Sequence, residues 1–126
     1  VLLNARVVVI LGASTRPERA AYYVPAYLAQ HGFKVISVRP GGRGRLHGGP
    51  VLSSLAEIDQ DVDVLNVFRR ADALSGHIAE VVALHPKTVW LPTGVRAPAA
   101  FREAMATHGI GLIENRCMMV DHGMLR

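Results

Sequence analysis

Hydrophobic residues occur in short runs separated by polar segments rich in Gly or Pro, and five of these runs predict β-strands. The first run, Val7–Leu11, contains no polar residue and stops at Gly12. An unbroken apolar run of this length is typical of a strand buried on both faces. The other four strands are expected at Lys34–Val38, Val62–Phe68, Thr88–Leu91 and Ile110–Ile113.

Helical spacing of apolar residues predicts helices between these strands. Tyr23, Tyr27 and Leu28 recur at helical spacing after the first strand, and Gly32 is expected to end that helix. Pro25 is expected in its first turn, since an interior proline removes a hydrogen bond. Other helices are expected over Ala73–Leu84, between Pro98 and Gly109, and briefly near Leu55–Ile58, whereas the glycine-rich stretch 41–49 is expected to be a long loop.

This alternation predicts an α/β fold. Parallel strands joined through helices need right-handed crossovers that cover both faces of a sheet. We therefore expect one Rossmann-like domain over residues 1–126, with a doubly wound, mainly parallel five-stranded sheet. The length of 126 residues and the 50% of hydrophobic residues fit one compact domain and exclude a two-domain enzyme.

The numbers of cysteine and histidine residues limit which disulfide, catalytic or metal-binding chemistry the protein can have. The only cysteine, Cys117, excludes an internal disulfide and favours a reducing compartment, so we expect a cytoplasmic protein. Cys117 has no recognisable activating partner and is interpreted as structural, with no catalytic residue assigned. The six histidines are dispersed without paired ligand spacing, so no metal site is expected. No apolar run approaches the ~18 residues that span a bilayer, so no membrane association is expected.

Positive charge is concentrated in the first half of the chain. Residues 1–56 contain seven basic residues and one acid, whereas residues 57–126 contain seven and nine. A basic excess on loops favours a polyanionic ligand. The motifs of nucleic-acid-binding folds are missing, so a nucleic-acid partner is not expected. Five of the first-half arginines lie in two segments punctuated by Gly and Pro: Arg16, Arg19, Arg39, Arg43 and Arg45.

The segment after the first strand has the features of a phosphate-binding loop. In doubly wound sheets, ligands bind beyond the carboxyl ends of the strands, near the point where the winding direction changes. The stretch from Gly12 to Pro17 combines a glycine, small hydroxyl residues and a following helix whose N-terminus favours anions. It is neither a G-x-G-x-x-G fingerprint nor a P-loop. By mechanism it is a phosphate-binding loop.

The end of the second strand indicates which nucleotide is bound. Rossmann domains for NAD place an acid there, whereas this chain has Arg39. A guanidinium suits a phosphorylated ribose, which is found as the 2′-phosphate of NADP or the 3′-phosphate of coenzyme A. Arg43 and Arg45 could fold over the same phosphates. Phe68, at the end of the third strand, is placed either to pack or to contact the ligand.

Taken in order along the chain, these segments resemble the small CoA-binding proteins related to the N-terminal domain of the succinyl-CoA synthetase alpha subunit. The resemblance covers nearly the whole sequence. It is carried by Val9–Ser14 with Arg16, Pro17 and Arg19, by Tyr23–Leu28 and Val35–Pro40, and by Val62–Arg70, Val89–Gly94 and Asn115–His122.

The resemblance implies a ligand and a site. It implies that the protein binds CoA or an acyl-CoA through the phosphorylated ADP moiety, as a carrier, sensor or regulatory protein without a complete catalytic site. The residues themselves, above all Arg39, leave an alternative function open, which is an NADP-binding redox sensor or reductase. Whether the chain forms a homo-oligomer or works beside a separate enzyme subunit stays open. The implied contact residues are Gly12, Ala13, Ser14, Thr15, Arg16, Arg19, Val38, Arg39, Pro40, Arg43, Phe68, Arg69, Thr93 and Gly94.

Overall fold

The computed structural model describes residues 1–125, whose strands form one mostly parallel sheet with helices on both faces. This confirms the predicted α/β Rossmann-like fold. Seven strands are present rather than five: β1 Val7–Leu11, β2 Lys34–Val38, β3 Arg45–Leu46, β4 Gly49–Leu52, β5 Val64–Val67, β6 Thr88–Trp90 and β7 Gly111–Ile113. The α-helices are α1 Ala20–Gln30, α2 Ile78–Leu84, α3 Ala99–Thr107 and α4 Met118–Met124.

The order of the strands places the change of winding direction beside β1. Across the sheet the order is β3-β4-β2-β1-β5-β6-β7, and every neighbouring pair is parallel except β3 and β4. The chain first moves outward from β1 to β2 and β4, and then returns to the other side of β1 to build β5, β6 and β7. The loops that follow β1, β2 and β5 therefore meet at the same carboxyl edge.

Each face of the sheet has its own apolar core. Residues of α1 and α4, including Val24, Leu28 and Met118, pack with Val8 and Ile10 of β1 on one face. Residues of α2 and α3 cover the other face, where Val81, Phe101 and Met105 pack with Val9 and Leu11 of β1. Successive residues of β1 thus alternate between the two cores, as the period of a strand requires. Both faces are covered, which explains why β1 has no polar residue.

The glycine-rich stretch was expected to be a long loop, and this was wrong. It contains β3 and the first residue of β4, which form an antiparallel hairpin, and β4 also pairs in parallel with β2 through Ser37↔Val51 and Val38↔Leu52. Gly49, the first residue of β4, is buried, and a Cβ atom there would overlap the carbonyl oxygen of Val35. This glycine therefore allows two backbones to approach closely rather than making the chain flexible.

The expected position of Pro25 was also wrong. The helix α1 begins at Ala20, so Pro25 is its sixth residue instead of lying in the first turn. Because Pro25 has no backbone N–H, it cannot donate the usual helical hydrogen bond to the carbonyl of Ala21. That carbonyl instead accepts a hydrogen bond from the backbone N–H of Ser14 at 3.3 Å. A donor from outside the helix thus satisfies this carbonyl and ties the loop after β1 to α1.

Other helices differ in detail from the expected ones. The stretch predicted as a helix over Ala73–Leu84 begins as a 3₁₀ helix, Ala71–His77, and continues as α2. The short helix near Leu55–Ile58 is a 3₁₀ turn, Leu55–Glu57. The helix α4 was not predicted. None of the helices within residues 1–125 has the length and apolar character needed to cross a bilayer.

Candidate functional site

The carboxyl end of β1 is the centre of the site. Gly12 adopts a φ of +88°, and a Cβ atom at this position would lie 2.5 Å from the carbonyl oxygen of Phe68 at the end of β5. Its N–H donates to the carbonyl of Val38, the last residue of β2, at 3.0 Å. Gly12 therefore holds the ends of three neighbouring strands together at the place where the winding direction changes.

Some backbone amides after β1 donate hydrogen bonds within the protein, whereas others have no acceptor there. The N–H groups of Ala13 and Ser14 donate to Val38 and Ala21, and the N–H of Arg16 donates to the Ser14 hydroxyl at 3.0 Å. Between Gly12 and Ala21, the amides that donate to no acceptor within residues 1–125 are those of Thr15, Glu18, Ala20 and Ala21. Two of these begin α1, where the helix dipole favours an anion. The free donors for a pyrophosphate thus lie slightly later in the chain than Gly12 and Ala13.

A cavity of about 220 Å³, here called the first cavity, lies against the ends of β1 and β2. Five residues of the sequence-predicted site line it together: Gly12, Val38, Arg39, Pro40 and Arg69. Its other walls are formed by Leu11, Ser53, Ser54, Leu55, His77 and Glu80. The structure therefore brings the end of β2 and the end of β5 to one concave surface.

Arg39 is held in place by the hairpin that the sequence did not predict. The backbone N–H of Arg39 donates to the carbonyl of Leu52 in β4 at 3.0 Å, and the carbonyl of Arg39 accepts from Gly42 at 2.9 Å. Arg43 follows this turn and is exposed outside the first cavity. The carbonyl of Gly44, the next residue, accepts from Val51 at 2.9 Å. Both arginines are therefore carried by backbone that is hydrogen-bonded to β4.

The arginines at this edge are mostly free of acidic partners. Arg16 forms a salt bridge with Glu18 at 3.3 Å, and both side chains are exposed. Four other arginines of the predicted site form no salt bridge within residues 1–125: Arg19, Arg39, Arg43 and Arg69. The pKa of Asp72 is lowered first by its hydrogen bond with Arg70 and to a lesser extent by the charge of Arg69, but no carboxylate in that part of the chain forms an ion pair with any of the four. This edge of the sheet therefore attracts anions.

The one acid in the wall of the first cavity, Glu80, is hydrogen-bonded to the Nδ1 atom of His77. This hydrogen bond engages one carboxylate oxygen of Glu80. His47, on the β3–β4 turn, instead packs edge-on against Tyr22 with ring centroids 4.7 Å apart. Burial lowers the pKa of His47, which favours its neutral form at pH 7. His47 therefore supports the hairpin rather than adding a cation.

A second cavity of about 280 Å³ lies beyond β5 and β6, on the face covered by α1 and α4. Phe68 and Thr93 of the predicted site line this second cavity rather than the first. Its remaining lining residues are largely apolar: Ala20, Tyr23, Val24, Asn66, Pro92, Cys117, Met118, Met119 and Val120. The predicted contacts are thus distributed between two cavities on either side of the β1–α1 loop.

The remaining predicted residues lie outside both cavities. Ala13 is buried, whereas Ser14, Thr15, Arg16 and Arg19 belong to the partly exposed loop between β1 and α1. The N–H of Gly94 donates to Oδ1 of Asn115 at 2.7 Å, so it is not available to a ligand.

The sequence reasoning missed several residues of these walls, above all Asn66. Its side chain is 1% exposed within an otherwise apolar strand, so a polar residue in an apolar run was the signal that could have found it. Ser53, Ser54, His77 and Glu80 of the first cavity gave no such signal. Ser53 and Ser54 follow β4, whereas His77 ends a 3₁₀ helix and Glu80 lies in α2, so only the tertiary fold brings them to one cavity.

The chain belongs to the CoA binding domain family, whose match extends over residues 6–123. In sequence it is 29% identical to the YneT protein of Bacillus subtilis (strain 168), over 100% of this chain and 92% of that one. In structure it resembles cell-free ID.343 from Thermus thermophilus with a TM-score of 0.93 and 41% identity, over 99% of this chain and 93% of that one. A hypothetical protein from Pyrococcus horikoshii OT3 matches with a TM-score of 0.88 and 27% identity, over 98% and 86% of the two chains.

Proposed function

We propose that this protein binds coenzyme A or an acyl-CoA through the phosphorylated ADP moiety and acts as a carrier, sensor or regulatory protein. The observation that carries the proposal is the first cavity, where Arg39 and Arg69 lie at the ends of β2 and β5 and form no salt bridge within residues 1–125. Membership of the CoA binding domain family supports the same ligand.

The nucleotide is expected to lie across the carboxyl edge of the sheet. Arg39, with Arg43 beside it, is the candidate for the 3′-phosphate, because a guanidinium presents paired donors to phosphate oxygens. The pyrophosphate is assigned to the loop after β1, where the amides of Thr15, Glu18, Ala20 and Ala21 donate to no acceptor within residues 1–125. We assign the pantetheine arm to the second cavity, which is lined by Phe68 and Thr93.

We assign no catalytic residue to this site. The proposal therefore concerns binding, and a catalytic partner would be a separate chain. We expect the protein to work in the reducing environment of the cytoplasm, since its single cysteine forms no disulfide. Candidate partners are CoA itself and another protein, either a second copy of this chain or an enzyme subunit, rather than a nucleic acid or a membrane.

Titration calorimetry with three ligands tests the proposal. We expect CoA to bind more tightly than dephospho-CoA, which lacks the 3′-phosphate, by about 1.5 to 3 kcal/mol. NADPH is expected to give no heat of binding at the same concentrations. Equal affinity for CoA and dephospho-CoA would contradict the assignment of Arg39 and Arg43 to the ribose phosphate.

An NADP-binding protein is the competing function, because Arg39 also suits a 2′-phosphate. The loop after β1 has one glycine where dinucleotide-binding fingerprints have three, which disfavours NADP. Binding of NADPH without binding of CoA would establish this alternative. Mass spectrometry of gently purified protein provides an independent measurement, since a co-purified nucleotide would be identified by its mass.

A further inference from the structure

The second cavity contains a buried hydrogen-bond acceptor with no donor. Asn66 lines the cavity with its side chain 1% exposed, and its Nδ2 atom donates to the carbonyl of Trp90 at 3.1 Å. Its Oδ1 atom accepts no hydrogen bond from any residue within 1–125. A buried polar atom left unpaired costs about 1 to 3 kcal/mol, so the arrangement favours an occupant that brings a donor into a largely apolar space.

The same cavity has Cys117 in its wall, and the backbone around this cysteine is fixed. The carbonyl of Arg116 accepts from Nε1 of Trp90 at 2.7 Å, and the N–H of Arg116 donates to Leu91 at 3.2 Å. Trp90 is therefore hydrogen-bonded both to Asn66 and to the residue before Cys117. The unpaired Oδ1 atom of Asn66 and the free, half-buried thiol of Cys117 thus belong to the lining of one cavity. The hydrogen bonds of Trp90 fix the backbone or side chain next to each of them.

We propose that the second cavity receives the thiol end of the pantetheine arm and that Cys117 there undergoes thiol–disulfide exchange with the disulfide form of CoA. An amide N–H of the arm provides the donor for Asn66. This inference rests on the proposed function, because the nucleotide bound at the first cavity is what directs the arm past the β1–α1 loop. The product is a CoA molecule held covalently at Cys117.

The exchange balances without any further oxidant. Cys117 loses its proton to solvent, and its Sγ atom attacks one sulfur of the CoA disulfide. The original S–S bond breaks as a new S–S bond forms between Sγ and that sulfur. The departing CoA thiolate takes up a proton. One half of the disulfide is thereby reduced, while Cys117 is oxidised to the mixed disulfide.

The rate of this reaction is measured by intact-protein mass spectrometry after mixing with CoA disulfide or with glutathione disulfide at equal concentration. We expect CoA disulfide to add one CoA per chain at least about tenfold faster, since binding raises the effective concentration of the disulfide. Adenosine 3′,5′-bisphosphate, which carries the phosphates but no arm, should slow the CoA reaction and leave the glutathione reaction unchanged. Cys117→Ser should give no adduct with either reagent.

Asn66→Leu tests the acceptor. It should slow the reaction with CoA disulfide about three- to tenfold and leave the affinity for adenosine 3′,5′-bisphosphate unchanged. Two results would overturn the inference while the proposed function stands: calorimetric binding of CoA together with equal rates for the two disulfides, or an adduct that still forms in Cys117→Ser. Absence of CoA binding would overturn the proposed function itself. The competition with the bisphosphate needs no variant, so it decides the question even where Asn66→Leu does not fold.

Discussion

The backbone N–H of Ser14 donates a hydrogen bond to the carbonyl of Ala21 at 3.3 Å, from the loop after β1 to the second residue of α1. This carbonyl is available because residue 25 of the helix is a proline. A residue that normally breaks a helix therefore helps to position the loop that we assign to the pyrophosphate. The relationship leads to a prediction in which stability and binding change separately.

Pro25→Ala introduces an N–H group that competes with Ser14 for the carbonyl of Ala21. We expect the free energy of unfolding to change by no more than about 1 kcal/mol, because the new helical bond is offset by greater freedom of the unfolded chain. CoA affinity should nevertheless fall about two- to fivefold as the loop is released. Pro98→Ala, at the start of α3, is the control and should leave affinity unchanged. Chemical unfolding and calorimetry measure the two quantities, and unchanged affinity in Pro25→Ala would contradict the role of the Ser14 contact.

Gly12→Ala should disrupt both the fold and the site. The new Cβ atom would lie 2.5 Å from the carbonyl of Phe68 in a backbone conformation that favours glycine. We expect a loss of about 2 to 4 kcal/mol in the free energy of unfolding and little remaining CoA binding. Gly76→Ala is a matched control, because nothing lies within 4 Å of its added Cβ atom. Thermal unfolding of both variants checks this, and equal melting temperatures would show that the close approach at Gly12 is unimportant.

Arg39→Ala and Arg43→Ala should each weaken CoA binding by about 1.5 to 3 kcal/mol and weaken dephospho-CoA binding much less. The difference arises because only CoA carries the ribose phosphate that these guanidinium groups are proposed to bind. Arg6→Ala is the control, since Arg6 precedes β1 at the opposite edge of the sheet. Calorimetry at constant ionic strength measures the affinities. Equal losses for the two ligands would instead indicate a general electrostatic attraction.

Asp63 should make the stability of the protein sensitive to acid. Its carboxylate accepts from the backbone N–H of Val7 at 2.9 Å and of Arg6 at 2.8 Å, and it pairs with Lys87 at 3.1 Å. The bonds from Val7 and Arg6, together with Lys87, hold the pKa of Asp63 below its usual value. A lowered pKa means that the stabilisation is present above the unfolded-state value of about 4 and is lost as the pH falls through the folded-state pKa.

Asp63→Ala should therefore lower the free energy of unfolding by about 1 to 3 kcal/mol at pH 7. The difference from the original chain should shrink progressively below about pH 4. Asp61→Ala is the control, because Asp61 is exposed and forms no salt bridge in the described part of the chain. Urea unfolding at several pH values checks this. A difference independent of pH would mean that the charge of Asp63 does not contribute.

The parts of the fold that were predicted correctly are those with strong local signals. The bounds of β1 and β2 match the predicted strands, because each is a short, mostly apolar and mostly buried run that ends at a glycine or a proline turn. The hairpin β3–β4 was missed because glycine density predicts a loop. At Gly49, however, the absent side chain allows pairing with β2, a contact that only the folded sheet reveals.

The candidate site was predictable to the extent that it depends on the ends of strands. Arg39 and Gly12 lie together because parallel strands bring their carboxyl ends to one edge. Asn66 was missed because its importance comes from an unpaired atom rather than from a motif. The role of Ser14 was also hidden, since its contact depends on α1 beginning at Ala20 and enclosing Pro25. That each of the fourteen predicted residues contacts a ligand stays a prediction.

The hairpin has a consequence for self-association. The outer strand of the hairpin, β3, is one border of the sheet and has two residues, and the strand at the other border, β7, has three. Arg45 lies on β3, and Pro50, with no N–H to donate, is its partner in β4. Both border strands are short, and β3 carries the charge of Arg45, so they offer little template for a strand from another molecule. The sheet is thereby protected against edge-to-edge aggregation.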